Sequence, residues 1–306
     1  MNLKLVAGTG LTMLLLALSS PLAAQTQSVA GPPEQLAFDR PESWALGHFT
    51  AATLLSGLET PVTRRPGEVS IGLEIGWLPR LSPSELRVGF DGFETEDLNK
   101  ASFIPRPRVT VGLPARWSLI VAGTPPVRMF GVKAALLALG LERPLLETLR
   151  WTVGLRGYGQ IGTANASFTC SASKLAFAPG APGNTEGCEA LSSDTATLRY
   201  VGAEASVAYQ PRGPSRLSPH AAIGLAHVDD AFQVDALVFG YVDHTRMVTH
   251  GTIVSGSGGV TARLTPSLSL GLDVFYSPFR VSRSLGAPAQ NDGFFNLRAL
   301  VSYRLR

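Results

Sequence analysis

From Val69 onward, apolar and small or polar side chains alternate with a period of two. In VSIGLEIGW, Val69, Ile71, Leu73, Ile75 and Trp77 share one face, while Ser70, Gly72, Glu74 and Gly76 share the other. In RPRVTVGL, Val109, Val111 and Leu113 oppose Arg108, Thr110 and Gly112. Around Trp151, the residues Leu149, Trp151, Val153, Leu155 and Ile161 oppose Arg150, Thr152, Arg156, Tyr158 and Gln160. Val201, Ala203, Ala205, Val207 and Tyr209 oppose Gly202, Glu204 and Ser206, and Leu268 to Tyr276 repeats the pattern against Ser269, Gly271 and Asp273. The last segment sets Phe295, Leu297, Val301 and Tyr303 against Asn296, Arg298 and Ser302. Successive residues of a strand point to opposite faces, so each segment predicts a strand of about 10 residues with one apolar face.

The connections carry a second pattern. Leu113 to Arg116, Glu142 to Thr148, Pro211 to Ser215 and Thr265 to Ser267 are short. Pro79 to Phe103, Thr163 to Asp194, Asp229 to Arg246 and Phe279 to Asp292 are long, and only Gly123 to Arg128 is brief where a long link is due. Short turns on one side and long loops on the other describe an all-β, antiparallel, up-and-down barrel of about ten strands, the short turns lying in the periplasm. Eight or twelve strands fit if Lys133 to Leu141 is helical or Phe232 to Val242 adds a hairpin. The outward aromatics sort by height. Trp117, Trp151, Tyr209 and Tyr303 adjoin the short turns or the C-terminus, and Trp77, Tyr276 and Phe295 adjoin the long loops. Two aromatic girdles around an aliphatic band suit two membrane interfaces.

Before Val69 the period is lost. Lys4, the apolar run Leu5 to Leu18 and the small residues at Leu22-Ala23-Ala24 predict a signal peptide over residues 1–24, cleaved near Ala24. Residues 25–66 read as a periplasmic tail and a short helix, ahead of a barrel over 67–306. The helix is expected over Pro41 to Leu58, with Asp39 as its cap, Pro41 in its first turn and Gly57 at its end, in the lumen or against the barrel mouth. An extra strand is the alternative.

Composition agrees with a barrel. Hydrophobic residues make up 45% and charged ones 16%, and mean hydropathy is +0.16, yet past the leader no apolar run reaches the roughly 20 residues of a spanning helix. A formal charge of +3 without a basic run gives no reason to expect nucleic acid. Cys170 and Cys188 lie close together in a polar stretch and predict one loop disulfide, since a metal site would need further ligands nearby. With its leader, short turns, long loops and final alternating strand with Tyr303, the chain resembles the Gram-negative outer-membrane β-barrels of the porin-like superclass. The resemblance implies residence in the outer membrane, contact with lipid and lipopolysaccharide, and insertion by the barrel-assembly machinery. The ending Arg304-Leu305-Arg306 departs from the aromatic terminus usual there.

The inward faces hold the candidate chemistry. Glu74, Arg108, Arg150, Arg156, Glu204, His220, Asp273 and Arg298 would line the lumen, as would Arg106. An open lumen of this kind suits a small porin or transporter for small, anionic solutes. Ion pairs filling a narrow barrel suit a structural or adhesive protein acting through its loops. A rim hydrolase is a third reading, built on loop carboxylates such as Asp91, Glu94, Glu96 and Asp97, or on Asp243-His244. The adjacent spacing of that pair differs from the Asp-x-His of the omptin proteases. No catalytic motif, cofactor or metal site is expected.

Overall fold

The computed structural model describes residues 27–211, 216–284 and 286–305; the leader and its cleavage point lie outside them. Ten strands form the wall: β1 (Val69–Trp77), β2 (Phe103–Gly112), β3 (Ser118–Thr124), β4 (Val132–Glu147), β5 (Trp151–Ala166), β6 (Tyr200–Tyr209), β7 (Leu217–Gln233), β8 (Arg246–Arg263), β9 (Leu268–Ser277) and β10 (Phe294–Arg304). Each pairs antiparallel with the next, and β10 returns to β1 from Leu297↔Trp77 to Arg304↔Ser70, which closes the barrel. Lys133 to Leu141 is wall strand. Around Phe232 to Val242 no wall strand is added: β7 runs on to Gln233, and the short pair Ala236–Val238 and Tyr241–Asp243 sits in the loop above.

The alternation sorts as expected. Ile71, Leu73, Ile75, Leu139, Leu141, Leu155, Ile223 and Leu272 are exposed on the outside, whereas their neighbours Ser70, Glu74, Thr152, Arg156 and Asp273 are buried within. Hiding a Leu or Ile is worth about 1.5–3 kcal/mol. A belt of them around a closed sheet is stable against hydrocarbon, and the barrel spans a membrane. Trp77, Trp151, Tyr276, Phe295 and Tyr303 stand half-exposed at the two edges of this belt, with the Trp151 and Tyr209 rings 4.8 Å apart.

The segment before β1 does not lie at the short-turn end, where a periplasmic tail was expected. Gln27–Val29 pairs in parallel with Tyr241–Asp243, and Glu34–Leu36 with Met247–Thr249, both at the long-loop end. From there the chain enters the barrel as α1 (Pro41–Ala52). Its N-cap is Arg40 rather than Asp39, Pro41 takes the first turn, and it stops at Thr53, short of Gly57. Nearly every residue of α1 is buried, because wall strands β7, β8 and β10 and the long loops above them pack around it. Residues 53–66 continue through the lumen to the short-turn end, where the Gly67 amide donates to the Gly112 carbonyl at 2.9 Å.

Wall glycines make room along this path. A Cβ added at Gly112 would lie 2.2 Å from the Arg65 carbonyl oxygen, and one at Gly154 would lie 2.6 Å from the Pro61 ring. One at Gly271 would lie 2.9 Å from the Leu58 carbonyl oxygen. The plug and the wall are cut to each other's shape. Above, the long loops close over α1. The Trp44 indole donates to the Asp292 carbonyl at 3.0 Å, the Arg283 guanidinium lies over the Trp44 ring, and Asp39 accepts the Ser282 amide through its carbonyl.

Candidate functional site

The end of α1 leaves carbonyls without helical partners, and the wall supplies arginines to them. Arg298 donates from Nη2 to Ala51 at 2.9 Å and from Nη1 to Leu54 and Ser56 at 3.1 and 3.0 Å, with its guanidinium 4.0 Å from the Phe275 ring centre. Arg106 donates to the Thr53 carbonyl and, at 3.2 Å, to that of Leu54. Two positive groups thus meet the negative end of the helix dipole. Arg106 also pairs with Glu74 at 2.6 Å, its direct neighbour across β1 and β2.

Below the helix the chain turns through Gly57 and Leu58, whose φ values of +71° and +68° put two successive residues in the left-handed region. Only the first is a glycine, and there a Cβ would strike the Ser257 hydroxyl at 2.8 Å. This turn aims the Gly57 amide at Glu204 (2.5 Å) and the Leu58 amide at Asp273 (2.6 Å). Arg156 sits between Glu142 and Glu204, its neighbours on either side in the sheet, at 2.9 and 3.1 Å. It also donates to the carbonyls of Gly57 at 3.1 Å and Glu59 at 3.0 Å. His220 Nε2 lies 3.2 Å from Asp273. The Tyr200 hydroxyl donates to the Thr53 carbonyl at 2.8 Å and accepts the Leu55 amide at 3.0 Å.

Of the residues expected to line the lumen, Glu74, Arg108, Arg156, Glu204, His220, Asp273 and Arg298 are buried inside it. Arg150 is not among them: β5 begins at Trp151, so Arg150 lies in the preceding turn, partly exposed. Arg108 is buried, and its Nε and Nη2 meet no acceptor among the described residues. The alternating pattern does not reveal Arg106, Glu142, Tyr200 and the plug carbonyls as one network, because the pairing depends on strand register. The loop carboxylates disperse. Asp91 pairs with Arg40 and Asp97 with Lys100, both at 2.6 Å, and Glu96 lies 4.0 Å from Lys174. Burial pushes the Glu96 carboxyl up to about 8. On the rim, Asp235 and His244 stand 3.5 Å apart, and Asp229 and His250 3.0 Å apart. Cys170 and Cys188 form a disulfide with Cα atoms 5.5 Å apart.

Two adjoining cavities lie on one side of the plug. The outer, of about 330 Å³, sits among the loops between Arg40, Glu42, Phe90, Asp91 and Met247. The inner, of about 80 Å³, is almost wholly apolar; Phe49, Leu98, Phe168 and Ala196 border both.

No family model and no curated protein matches the chain. Among solved structures, Ail, the attachment invasion locus protein of Yersinia pestis, is 12% identical, with 79% of this chain and 100% of that one covered and a TM-score of 0.33. The outer membrane protease OmpT of Escherichia coli is 10% identical over 78% and 94%, with a TM-score of 0.37. The Ralstonia pickettii toluene transporter TbuX is 12% identical over 81% and 92%, with a TM-score of 0.36. These likenesses are too slight to carry any property of those proteins to this chain. Its own pairings and faces establish the architecture, a closed ten-stranded transmembrane barrel of the outer-membrane type with its N-terminal segment through the lumen.

Proposed function

We propose that this is an outer-membrane transporter of small molecules whose lumen is closed by its own N-terminal segment and opens when that segment moves. One observation carries the reading: residues 41–66 run through the lumen and occupy Arg106, Arg156 and Arg298, which would otherwise face a solute. In this reading the plug takes up these three arginines at rest, and any preference they give for anionic solutes acts only once it moves.

A barrel that only anchors its loops can fill its lumen with side chains. Here the filling is a separate stretch of backbone, held by hydrogen bonds that water could replace and fitted to wall glycines. That construction favours a gate over a permanent plug. The test is conductance in a planar bilayer. Refolded protein whose migration changes on boiling should be silent, and deletion of residues 41–58 should give discrete steps. A folded deletion variant that stays silent would remove the transporter reading and leave the structural one.

A further inference from the structure

Among the described residues, the wall has one place where neighbouring strands part within the apolar belt. β2 pairs with β1 along its whole length, from Val69↔Val111 to Trp77↔Phe103. Its pairing with β3 stops at Arg108↔Ala122. Above that point β3 turns away with β4 through Gly123↔Leu137 and Thr124↔Leu136. Among the described residues no backbone hydrogen bond joins Phe103–Pro107 to the β3–β4 connection.

The sequence explains the parting. Pro105 and Pro107 have no N–H, and proline inside a sheet belongs at an edge. The ladder to β1 persists through both, so the missing donors lie toward β3. Continued in register, Pro107 would face Gly123 and Pro105 would face Pro125, which has no donor either. The open stretch is five residues, about 13 Å from the first to the last at ~3.3 Å per residue. It begins beside Trp77 in the upper aromatic girdle and runs down toward Leu73.

Behind this opening lies the inner cavity. Phe103, Ile104 and Pro105 bound it on one side, and Pro125, Val127 and Phe130 on the other. The Phe103 and Phe130 rings meet edge to face across it, with centroids 4.9 Å apart. Both rings are exposed, as is Val127. At its inner end the cavity touches Phe49 and Thr53 of the plug.

We infer that this is a lateral binding site for hydrocarbon, entered from the outer leaflet between β2 and β3, with the Phe103–Phe130 pair as its door. The lining selects an apolar ligand, because a polar one would give up water with nothing to replace it. The cavity of about 80 Å³ takes a short alkyl segment or a small ring, not a whole lipid. An occupant would lie against Phe49 and so against the plug. As the origin of a transported molecule, the site rests on the transporter reading; its occupancy does not.

The test uses the full mature chain in vesicles containing a phosphatidylcholine with a diazirine on its acyl chain. The headgroup keeps the probe in the leaflet, so it can reach the cavity only through the wall. After irradiation, mass spectrometry should find adducts on Phe49, Leu136 or Phe168, as well as on the outward residues Leu137 and Leu139. Joining the door by a disulfide in Phe103→Cys/Phe130→Cys should cut the internal adducts at least tenfold while leaving the outward ones. Ala134→Trp, which fills the cavity from inside, should do the same. Adducts confined to outward positions in the unmodified protein would overturn the proposal. So would internal adducts that persist in the joined variant, since they would indicate another route. The labelling reads the resting barrel, so a failure of conductance and a failure of lateral entry are separate results.

Discussion

Replacing Arg156 by methionine keeps the volume of its stem and removes the charge between Glu142 and Glu204. In the plugged barrel both carboxylates then face each other's charge without their shared partner, and the carbonyls of Gly57 and Glu59 lose a donor. Removing one member of a buried ion pair costs about 3–5 kcal/mol. Most of that cost falls on the plugged state, because withdrawal of residues 53–66 would let water reach the two carboxylates. At ~1.4 kcal/mol per factor of ten, the unplugged fraction should rise by roughly two to three and a half orders of magnitude. The assay pairs single-channel recording with limited trypsin digestion at the Arg64–Arg65 bond, followed in folded protein. Arg156→Met should show openings and faster cleavage. The triple change Arg156→Met, Glu142→Gln, Glu204→Gln removes the whole triad's charge and should restore most of the silence, since a buried pair replaced whole is often close to neutral. If the single variant stays silent and protected, or the triple variant opens as much, the charges do not hold the plug.

Three further outcomes follow from other parts of the molecule. Gly154→Leu puts a side chain where the Pro61 ring packs; it should free the lower plug, read as faster hydrogen exchange over residues 59–66, with the wall strands unchanged. Glu96, whose carboxyl is raised to about 8 from an ordinary 4.5, holds its proton better in the folded loop. Its contribution is therefore full below about pH 4.5 and is lost as pH rises through 8. Amide exchange around residues 94–98 should accelerate from pH 6 to pH 9, and Glu96→Gln should flatten that dependence beyond the intrinsic exchange rate. Cys170→Ser/Cys188→Ser opens a link with a sequence separation of 18, worth roughly 3 kcal/mol of loop order by chain entropy. Proteolysis of residues 171–187 should speed up while the shift in migration on boiling stays the same.

The wall was legible because one physical rule writes it. A strand between lipid and lumen must alternate, and Ile71, Leu155, Leu272 and Leu297 fall outward as their spacing requires. The network inside was less legible. That Arg156 stands between Glu142 and Glu204 depends on register across three strands, which no local pattern encodes. The path of residues 53–66 was hidden for another reason: a chain surrounded on every side has no face to be periodic about. Two signals were nevertheless present. Inward glycines at 112, 154 and 271 left space that wall side chains do not fill, so a filler had to come from elsewhere. The brief link Gly123 to Arg128 and the prolines at 105 and 107 marked the place where β2 and β3 part. The position of residues 27–36 at the long-loop end was not legible, because nothing local in Glu34–Leu36 announces parallel pairing with β8.

That route through the lumen also constrains how the molecule can be made. The plug precedes β1, and the seam that shuts the barrel joins β1 to β10, the first wall strand to the last. At Gly112 and Gly154 the Arg65 carbonyl and the Pro61 ring run so close to the wall that a Cβ would meet them at 2.2 and 2.6 Å. Taking up residues 27–66 in a finished barrel would mean passing them end to end past these contacts, whereas gating needs only a shift within the lumen. Residues 27–66 are therefore laid across the curling sheet while β10 is still unpaired, and the pairing of Leu297 with Trp77 encloses the segment without fixing its position inside. For this protein the final strand is the step that decides whether the segment runs through the lumen, while its position there stays free to shift.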